Sequence, residues 1–132
     1  MRIDNILLDE LTQKAKDSSR LRFHYDLRDS EDDNSMRMLN ALEPGTVIPV
    51  HRHRETSEDV VVLRGRVEEI FFDNEGNEIG HCLLEAGSAC IAVHVPINQY
   101  HTCKSLESGS VIIEFKNGRY DPNGTEEFLI QY

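Results

Sequence analysis

Three side chains in the stretch from Gly45 to Gly65 have the chemistry and spacing to bind one divalent metal ion. They are His51, His53 and Glu58. Because side chains alternate between the two faces of a strand, His51 and His53 should point the same way. The polar residues RETS that follow predict a turn, and EDVVVLR then predicts a strand that begins with Glu58. Imidazole and carboxylate ligands together suit zinc, iron, manganese, nickel or copper.

A further histidine downstream completes a set of four ligands. His101 lies in VPINQYHTC, before the apolar stretch SVIIEF. The alternative interpretation is that His51 and His53 are solvated histidines in a polar loop. That alternative does not explain the matching histidine downstream, His101. Three histidines and one carboxylate would leave room on the metal for water or substrate.

The spacing of the first three ligands resembles the first cupin motif, in which Gly, His-x-His, Glu and Gly stand at fixed intervals. Gly45, His51, His53, Glu58 and Gly65 occupy every fixed position. The resemblance implies a metal ion inside a β-barrel.

The second cupin motif is matched in part. Pro96 and His101 fit its Pro-x-Gly-x-x-His core, whereas Asn98 stands where Gly is usual and Ser105 replaces the closing Asn. Because Asn adopts a left-handed backbone more readily than most residues, we expect the turn to be kept.

Most of the chain, from about Leu8 to Phe128, is similar to the small WbuC-type cupin metalloproteins. The similarity is carried by RLRFHYDLRDSEDDNSMRMLNALEPGTVIPVHRH, VVLRGRVEEIFFDNEG and EFKNGRYDPNGTEEF. That family is associated with bacterial surface-polysaccharide gene clusters. The resemblance therefore implies a metal site and a sugar-related context, without specifying a reaction.

Length and composition predict one globular domain over residues 1–132. The 132 residues are 39% hydrophobic, enough for a single core. A net charge of −10 argues against nucleic acid or an anionic membrane as a partner. No apolar run is long enough for a transmembrane helix, and residues 1–17 lack a signal-peptide core. We therefore expect a cytoplasmic protein.

The cysteine pattern predicts reduced thiols. Cys82, Cys90 and Cys103 are an odd number and form no CxxC motif, so a disulfide framework is not expected.

Residue periodicity predicts an all-β fold with one short N-terminal helix. Residues 5–17 have an apolar stripe at helical spacing, formed by Ile6, Leu7, Leu11 and Ala15. Eight to ten short strands separated by turns follow, with the barrel core over residues 36–116. This pattern fits an antiparallel jelly roll, the double-stranded β-helix of cupins.

The favoured function is a metal-dependent enzyme acting on a small sugar-derived substrate, such as a sugar or nucleotide sugar. Isomerisation, epimerisation and hydrolysis all fit the ligand set. The candidates for a general acid or base are Tyr25, His24, Arg37, Cys103 and Glu114. The alternatives are a non-catalytic ligand-binding or regulatory cupin and, less favoured, an iron-dependent dioxygenase.

A homodimer is also expected. The chain ends in an apolar patch, Phe128 to Tyr132, and Phe71 and Phe72 adjoin on one strand. Surface of this kind is often buried between identical subunits.

Overall fold

Two antiparallel five-stranded sheets pack face to face, and one helix covers the outer face of the first sheet. The computed structural model describes residues 1–119 and 121–127. The helix is α1 (Asn5–Asp17). The strands are β1 (Arg22–Asp26), β2 (Ser35–Leu42), β3 (His51–His53), β4 (Glu58–Arg64), β5 (Arg66–Phe72), β6 (Glu78–Glu85), β7 (Ala92–Val95), β8 (Tyr100–Ser105), β9 (Ser110–Asn117) and β10 (Thr125–Glu127).

Many neighbouring strands in each sheet come from distant parts of the chain. The first sheet runs β1-β2-β9-β4-β7 and the second runs β10-β3-β8-β5-β6. Each pairing is antiparallel, and β8 lies between the strand that carries His51 and the strand β5. The predicted all-β class and the single N-terminal helix are confirmed.

Helix α1 begins and ends where the sequence predicts, but its buried face is different. Asp4 caps the start by accepting a hydrogen bond from the backbone N–H of Leu7, at 3.1 Å. The prediction that Ile6 lies on the buried stripe is wrong, since its side chain is 71% exposed. The helix instead packs on the first sheet through Leu8, Leu11, Thr12 and Ala15.

Successive side chains on the strands of the first sheet point alternately to the helix and to the space between the sheets. Leu39, Ala41, Val111 and Ile113 form the cluster under α1. The other face of the same strands joins residues from the second sheet in an interior cluster of Leu42, Val60, Val62, Val67, Leu84, Cys103 and Ile112. A residue's parity along its strand therefore decides whether it reaches the interior.

The sheets extend beyond the predicted 36–116 core at both ends. Strand β1 pairs with β2, and β10 pairs with β3, so that Thr125 lies opposite His53. Both are short edge strands without a long apolar run. The residue pattern therefore left them outside the predicted core.

The turn before His101 keeps a left-handed residue without glycine. Asn98 has φ of 66°. Its backbone N–H donates to the carbonyl of His53 at 2.9 Å, which ties the turn to the strand that carries two of the predicted ligands. The expectation that asparagine preserves this turn is confirmed.

The aromatic pair that contributed to the homodimer prediction is divided between core and partly exposed positions. Phe72 is 2% exposed and packs with Val50, Ile70 and Tyr100, whereas Phe71 is half-buried. The other contributor, Phe128 to Tyr132, lies outside the described residues.

Within the described residues, no helix is long and apolar enough to cross a membrane.

Replacing Gly65 by Ala should destabilise the fold more than the same change at Gly87. Both glycines have positive φ, 83° and 76°. A Cβ on Gly65 would lie 2.7 Å from the backbone Cα of Ser110, whereas a Cβ on Gly87 meets nothing within 4 Å. We expect about 1–2 kcal/mol of lost unfolding free energy for Gly87→Ala and about 3 kcal/mol or more for Gly65→Ala. Urea denaturation measures both, and equal losses would contradict this role for Gly65.

Candidate metal centre

Strand pairing in the second sheet brings three histidines together between the sheets. His51 and His53 lie on β3, and His51 is directly opposite His101 on the neighbouring strand β8. One ring nitrogen from each histidine can be chosen so that all three lie within 4.8 Å of one another. The sequence predicted this convergence from the two-residue spacing and the downstream His101.

The protein holds one nitrogen of each imidazole and leaves the other directed into the site. Nδ1 of His51 donates to the carbonyl of Pro49 at 2.7 Å, and Nδ1 of His101 contacts the carboxylate of Glu69. Nδ1 of His53 lies 3.2 Å from the hydroxyl of Thr125. Partners of this kind fix ring orientation and tautomer in metal-binding histidines. The Nε2 atoms are thereby available as ligands.

Glu58 approaches these imidazoles from the opposite sheet. Its Oε2 is 3.1 Å from Nε2 of His53 and 3.5 Å from the ammonium of Lys116. Among the described residues, Nε2 of His53, Nε2 of His101 and Oε2 of Glu58 are buried without a hydrogen-bond partner. Buried polar atoms normally have partners. A divalent cation would satisfy these three, so the donor set fits the predicted metal.

A small chamber and a larger cavity adjoin at this centre. The chamber, about 50 Å³, is lined by His51, Glu58 and His101 together with Glu69, Cys103, Glu114 and Lys116. The cavity, about 400 Å³, is lined by His53 and again by Lys116. We call these the metal chamber and the outer cavity. Lys116 therefore borders both spaces, and the predicted ligand His53 borders the outer cavity, which is large enough for a small ligand.

Burial favours uncharged imidazoles in this site. It lowers the pKa of His51 to about 4, with a smaller contribution from the charge of His101, and it also lowers the pKa of His101. Burial opposes ionisation of Glu58, but the close contact with the His53 ring and the charge of Lys116 lower the pKa of Glu58 to about 2. Neutral imidazoles beside an ionised carboxylate are the protonation states that a metal ion requires.

Residues 3–84 match the family model described as "Domain of unknown function (DUF6016)". The match covers more than half of the chain and includes His51, His53 and Glu58. This protein belongs to the DUF6016 family. No curated protein sequence matches this DUF6016 chain.

Solved structures similar to the DUF6016 protein share its two-sheet architecture. Capsular polysaccharide assembling protein CapF from Staphylococcus aureus has a TM-score of 0.73 and 21% identity, covering 86% of this chain and 33% of the CapF chain. Oxalate decarboxylase from Bacillus subtilis has a TM-score of 0.61 and 19% identity, covering 81% of this chain and 27% of the other. KdgF from Halomonas sp. has a TM-score of 0.59 and 22% identity, covering 76% and 82%.

These similarities establish the fold of the DUF6016 protein. The chain spans about a third of the CapF chain, so it corresponds to one part of that protein. The predicted cupin jelly roll is confirmed. Within this fold, the three-histidine cluster is a group that could hold a metal ion. The finer WbuC-type resemblance stays a prediction.

Two of the predicted acid–base candidates lie on the outer face of the first sheet, away from the metal chamber. Tyr25 pairs with Leu39, whose side chain faces α1, and its hydroxyl contacts the sulfur of Met1. Arg37 shares that face and binds Asp33 and the carbonyl of Leu27. The prediction that Tyr25 or Arg37 acts as an acid or base at the metal is therefore wrong, and both residues have structural contacts instead. His24 is also exposed, on the edge strand β1.

The remaining two candidates reach the metal chamber. Cys103 and Glu114 both line it, Cys103 from β8 and Glu114 from β9. Burial raises the pKa of the Cys103 thiol well above its ordinary value, with help from the charge of Glu69. Burial and the charge of Glu58 raise the pKa of Glu114 to about 8. Both groups are protonated at neutral pH in the absence of a cation.

Two residues at the site were missed in the sequence. Glu69 is 1% exposed and contacts His101, although it lies on β5 opposite Cys103 rather than opposite His101. Lys116 follows Glu114 by two residues on the inner face of β9. Period-two alternation could have found both, since Glu69 is a charged residue in phase with buried Val67, and Lys116 is in phase with Glu114.

Replacing His101 by Ala should remove the metal ion. The variant loses one imidazole and leaves Glu69 buried without its partner, so we expect the affinity for zinc to fall more than about a hundredfold. His94→Ala is the matched control, because His94 is exposed and pairs with Asp59 on the first sheet. Equilibrium dialysis followed by metal analysis measures both. Unchanged zinc occupancy in the His101 variant would exclude His101 as a ligand.

The stability conferred by the metal should decline in acid. Because the folded chain keeps His51 neutral down to about pH 4, while the unfolded chain protonates it near 6.5, the unfolded state binds more protons in that interval. The contribution of His51 to the free energy of unfolding therefore falls as the pH drops from 6.5 towards 4. The contribution of Glu114, whose pKa is raised to about 8, has the opposite sign and grows as the pH drops below 8. A metal that binds only the folded state adds stability at pH 7.5, and this addition shrinks as protons compete for the imidazoles.

Melting curves with zinc and with chelator across this pH range test both effects. The two melting temperatures should differ most at pH 7.5 and converge as the pH falls. A difference that stays constant with pH would show that histidines do not hold the metal.

Proposed function

We propose that this DUF6016 protein is a metal-dependent enzyme that isomerises or epimerises a small sugar-derived substrate. The observation that carries the proposal is that Lys116 lines both the metal chamber and the outer cavity, while the predicted ligand His53 lines the outer cavity. Structural metal sites are closed by their ligands, whereas catalytic sites keep a position open to substrate. A donor set next to a ligand-sized cavity favours the catalytic type.

The wall of the outer cavity suits a hydroxylated ligand. Most of the described residues that line it have polar side chains, among them Lys116, Asn117, Arg119, Asp121 and Thr125. Hydroxyl groups of a sugar can both donate to carboxylates and accept from ammonium, guanidinium and amide groups. Met36 adds an apolar surface against which a carbon ring can pack.

His51, His53, Glu58 and His101 would hold one divalent transition metal, among zinc, iron, manganese and nickel. The chemistry supplied by such an ion is Lewis-acid polarisation of a substrate oxygen. Lys116 bears a positive charge at the boundary of the two spaces, where it would attract a negatively charged or carbonyl oxygen.

Glu114 is our candidate for the proton-transfer group. It lines the metal chamber and belongs to the same strand face as Lys116. A cation in the chamber would lower its pKa from about 8 towards neutrality, where one carboxyl group can both give and take a proton. Isomerisation and epimerisation need such a group, since each moves a proton on or off a carbon next to a carbonyl.

The polysaccharide context is part of the same proposal. A substrate from bacterial surface-polysaccharide biosynthesis is supported by the WbuC-type resemblance of the sequence. The structurally similar CapF is named as a capsular polysaccharide assembling protein. A nucleotide sugar is a second candidate ligand class. The homodimer and the cytoplasmic location stay predictions.

A non-catalytic ligand-binding cupin is the second candidate. It is favoured by the small volume of the metal chamber, about 50 Å³, and by the positions of Tyr25 and Arg37 on the outer face. In that case the metal would orient a ligand without proton transfer.

Solvent deuterium exchange distinguishes the two functions. Metal-loaded protein is incubated in D₂O with a panel of aldoses, ketoses and nucleotide sugars, and deuterium on the sugar carbons is followed by NMR. We expect exchange at the carbon next to the carbonyl, and Glu114→Gln should slow it about a hundredfold or more without loss of metal. Tyr25→Phe is the control and should leave the rate unchanged.

Each outcome of the exchange experiment has one meaning. A ligand that binds without exchange would favour the non-catalytic cupin. Wild-type exchange in a Glu114→Gln variant that retains its metal would exclude Glu114 as the proton-transfer group.

A further inference from the structure

Cys82 and Cys90 form a close thiol pair away from the metal chamber. Their sulfur atoms are 3.4 Å apart. Cys82 lies on β6, and Cys90 lies in the segment between β6 and β7. Both side chains are half-buried and pack against the interior cluster that contains Leu84. Neither is among the residues that line the metal chamber.

Main-chain hydrogen bonds hold the two cysteines in this arrangement. The backbone N–H of Glu85 donates to the carbonyl of Cys90 at 3.1 Å, and that of Ser88 donates to the carbonyl of Glu85 at 3.1 Å. The next residue, Ile91, accepts from the backbone N–H of Val62 at 2.8 Å, which ties the segment to β4. These hydrogen bonds hold the backbones of the two cysteines close together, so their side chains stay within reach of each other.

We propose that Cys82 and Cys90 are a modification site that a hydroperoxide converts reversibly to a disulfide. A disulfide joins sulfurs about 2.05 Å apart, so the remaining gap is about 1.4 Å. Rotation about the two Cα–Cβ bonds can close a gap of this size. The sequence prediction of reduced thiols rested on the odd cysteine count and the missing CxxC, and neither feature reports on pairing across a turn.

The chemistry of this step balances with one equivalent of hydroperoxide. The thiolate of one cysteine attacks a peroxide oxygen, the O–O bond breaks, and a sulfenic acid and one molecule of water or alcohol are formed. The second thiolate then attacks the sulfenic sulfur, forming the S–S bond and releasing water. The two sulfurs together lose two electrons, which reduce the peroxide. A dithiol reductant reverses the change by thiol–disulfide exchange.

Strand geometry excludes the third cysteine from pairing with Cys82. In the second sheet β5 lies between β6 and β8, and Glu69 of β5 is opposite Cys82 on one side and opposite Cys103 on the other. Neighbouring strands are about 4.8 Å apart, so Cys82 and Cys103 are separated by about 10 Å. Disulfides require Cα atoms within about 7 Å. We therefore expect Cys82 to pair with Cys90 and not with Cys103.

The test uses the full-length chain loaded with zinc, which is redox-inert, after free zinc has been removed. The protein is treated with hydrogen peroxide at one equivalent, remaining thiols are alkylated, and the products are mapped by mass spectrometry without reduction. We expect the loss of two alkylatable thiols out of three, one peptide pair linked through Cys82 and Cys90, and alkylated Cys103. Treatment with a dithiol should restore all three thiols.

Matched variants separate the intended pair from general thiol oxidation. Cys103→Ser should keep the linked pair, whereas Cys82→Ser and Cys90→Ser should each lose it. Any of three results in the wild-type chain would overturn the proposal: retention of all three thiols, a linkage that includes Cys103, or a linkage between two chains. The wild-type result alone decides it if a variant fails to fold.

Discussion

Three buried atoms near the centre of the sandwich, two imidazole nitrogens and one carboxylate oxygen, have no hydrogen-bond partner among the described residues. Leaving such atoms unsatisfied costs about 1–3 kcal/mol each, and more where the group is charged. The surrounding structure is consistent with a cation as their common partner. The other nitrogens of the imidazoles are bound by a carbonyl, a hydroxyl and a carboxylate, which orients the free nitrogens towards the same point.

The two sheets contribute differently to this centre. The second sheet supplies the imidazoles on adjacent strands, where antiparallel pairing sets their separation. The first sheet supplies Glu58, Glu114 and Lys116 from its inner face while its outer face packs on α1. Because the ligands come from both sheets, the geometry of the centre depends on how the sheets pack and not on one loop alone. The helix contributes to the centre indirectly, because it covers the apolar outer face of the sheet that carries Glu58.

The three-histidine cluster, the boundaries of α1 and the all-β class could be predicted because the sequence carries a signal for each of them. His-x-His spacing places both rings on one face, and a capping aspartate precedes a periodic helix. Tyr25 and Arg37 were misplaced because the face that a strand residue presents depends on register, which the segment alone does not reveal. Glu69 was missed because its partner His101 comes from another strand. Edge strands β1 and β10 fell outside the predicted barrel core because a few residues with little apolar character give only a weak strand pattern.

The partners of the three imidazoles differ in strength, and this difference has a consequence in coordination chemistry. His51 donates to a carbonyl in its own strand region and His101 contacts a buried carboxylate, whereas His53 has only a neutral hydroxyl at 3.2 Å from a three-residue edge strand. His53 is also the imidazole that lines the outer cavity. In a set that holds an ion, His53 would be the hemilabile donor, which could detach and rebind while the other donors retained the ion. An incoming chelating ligand would displace this arm first, so ligand exchange at the centre would proceed without release of the metal.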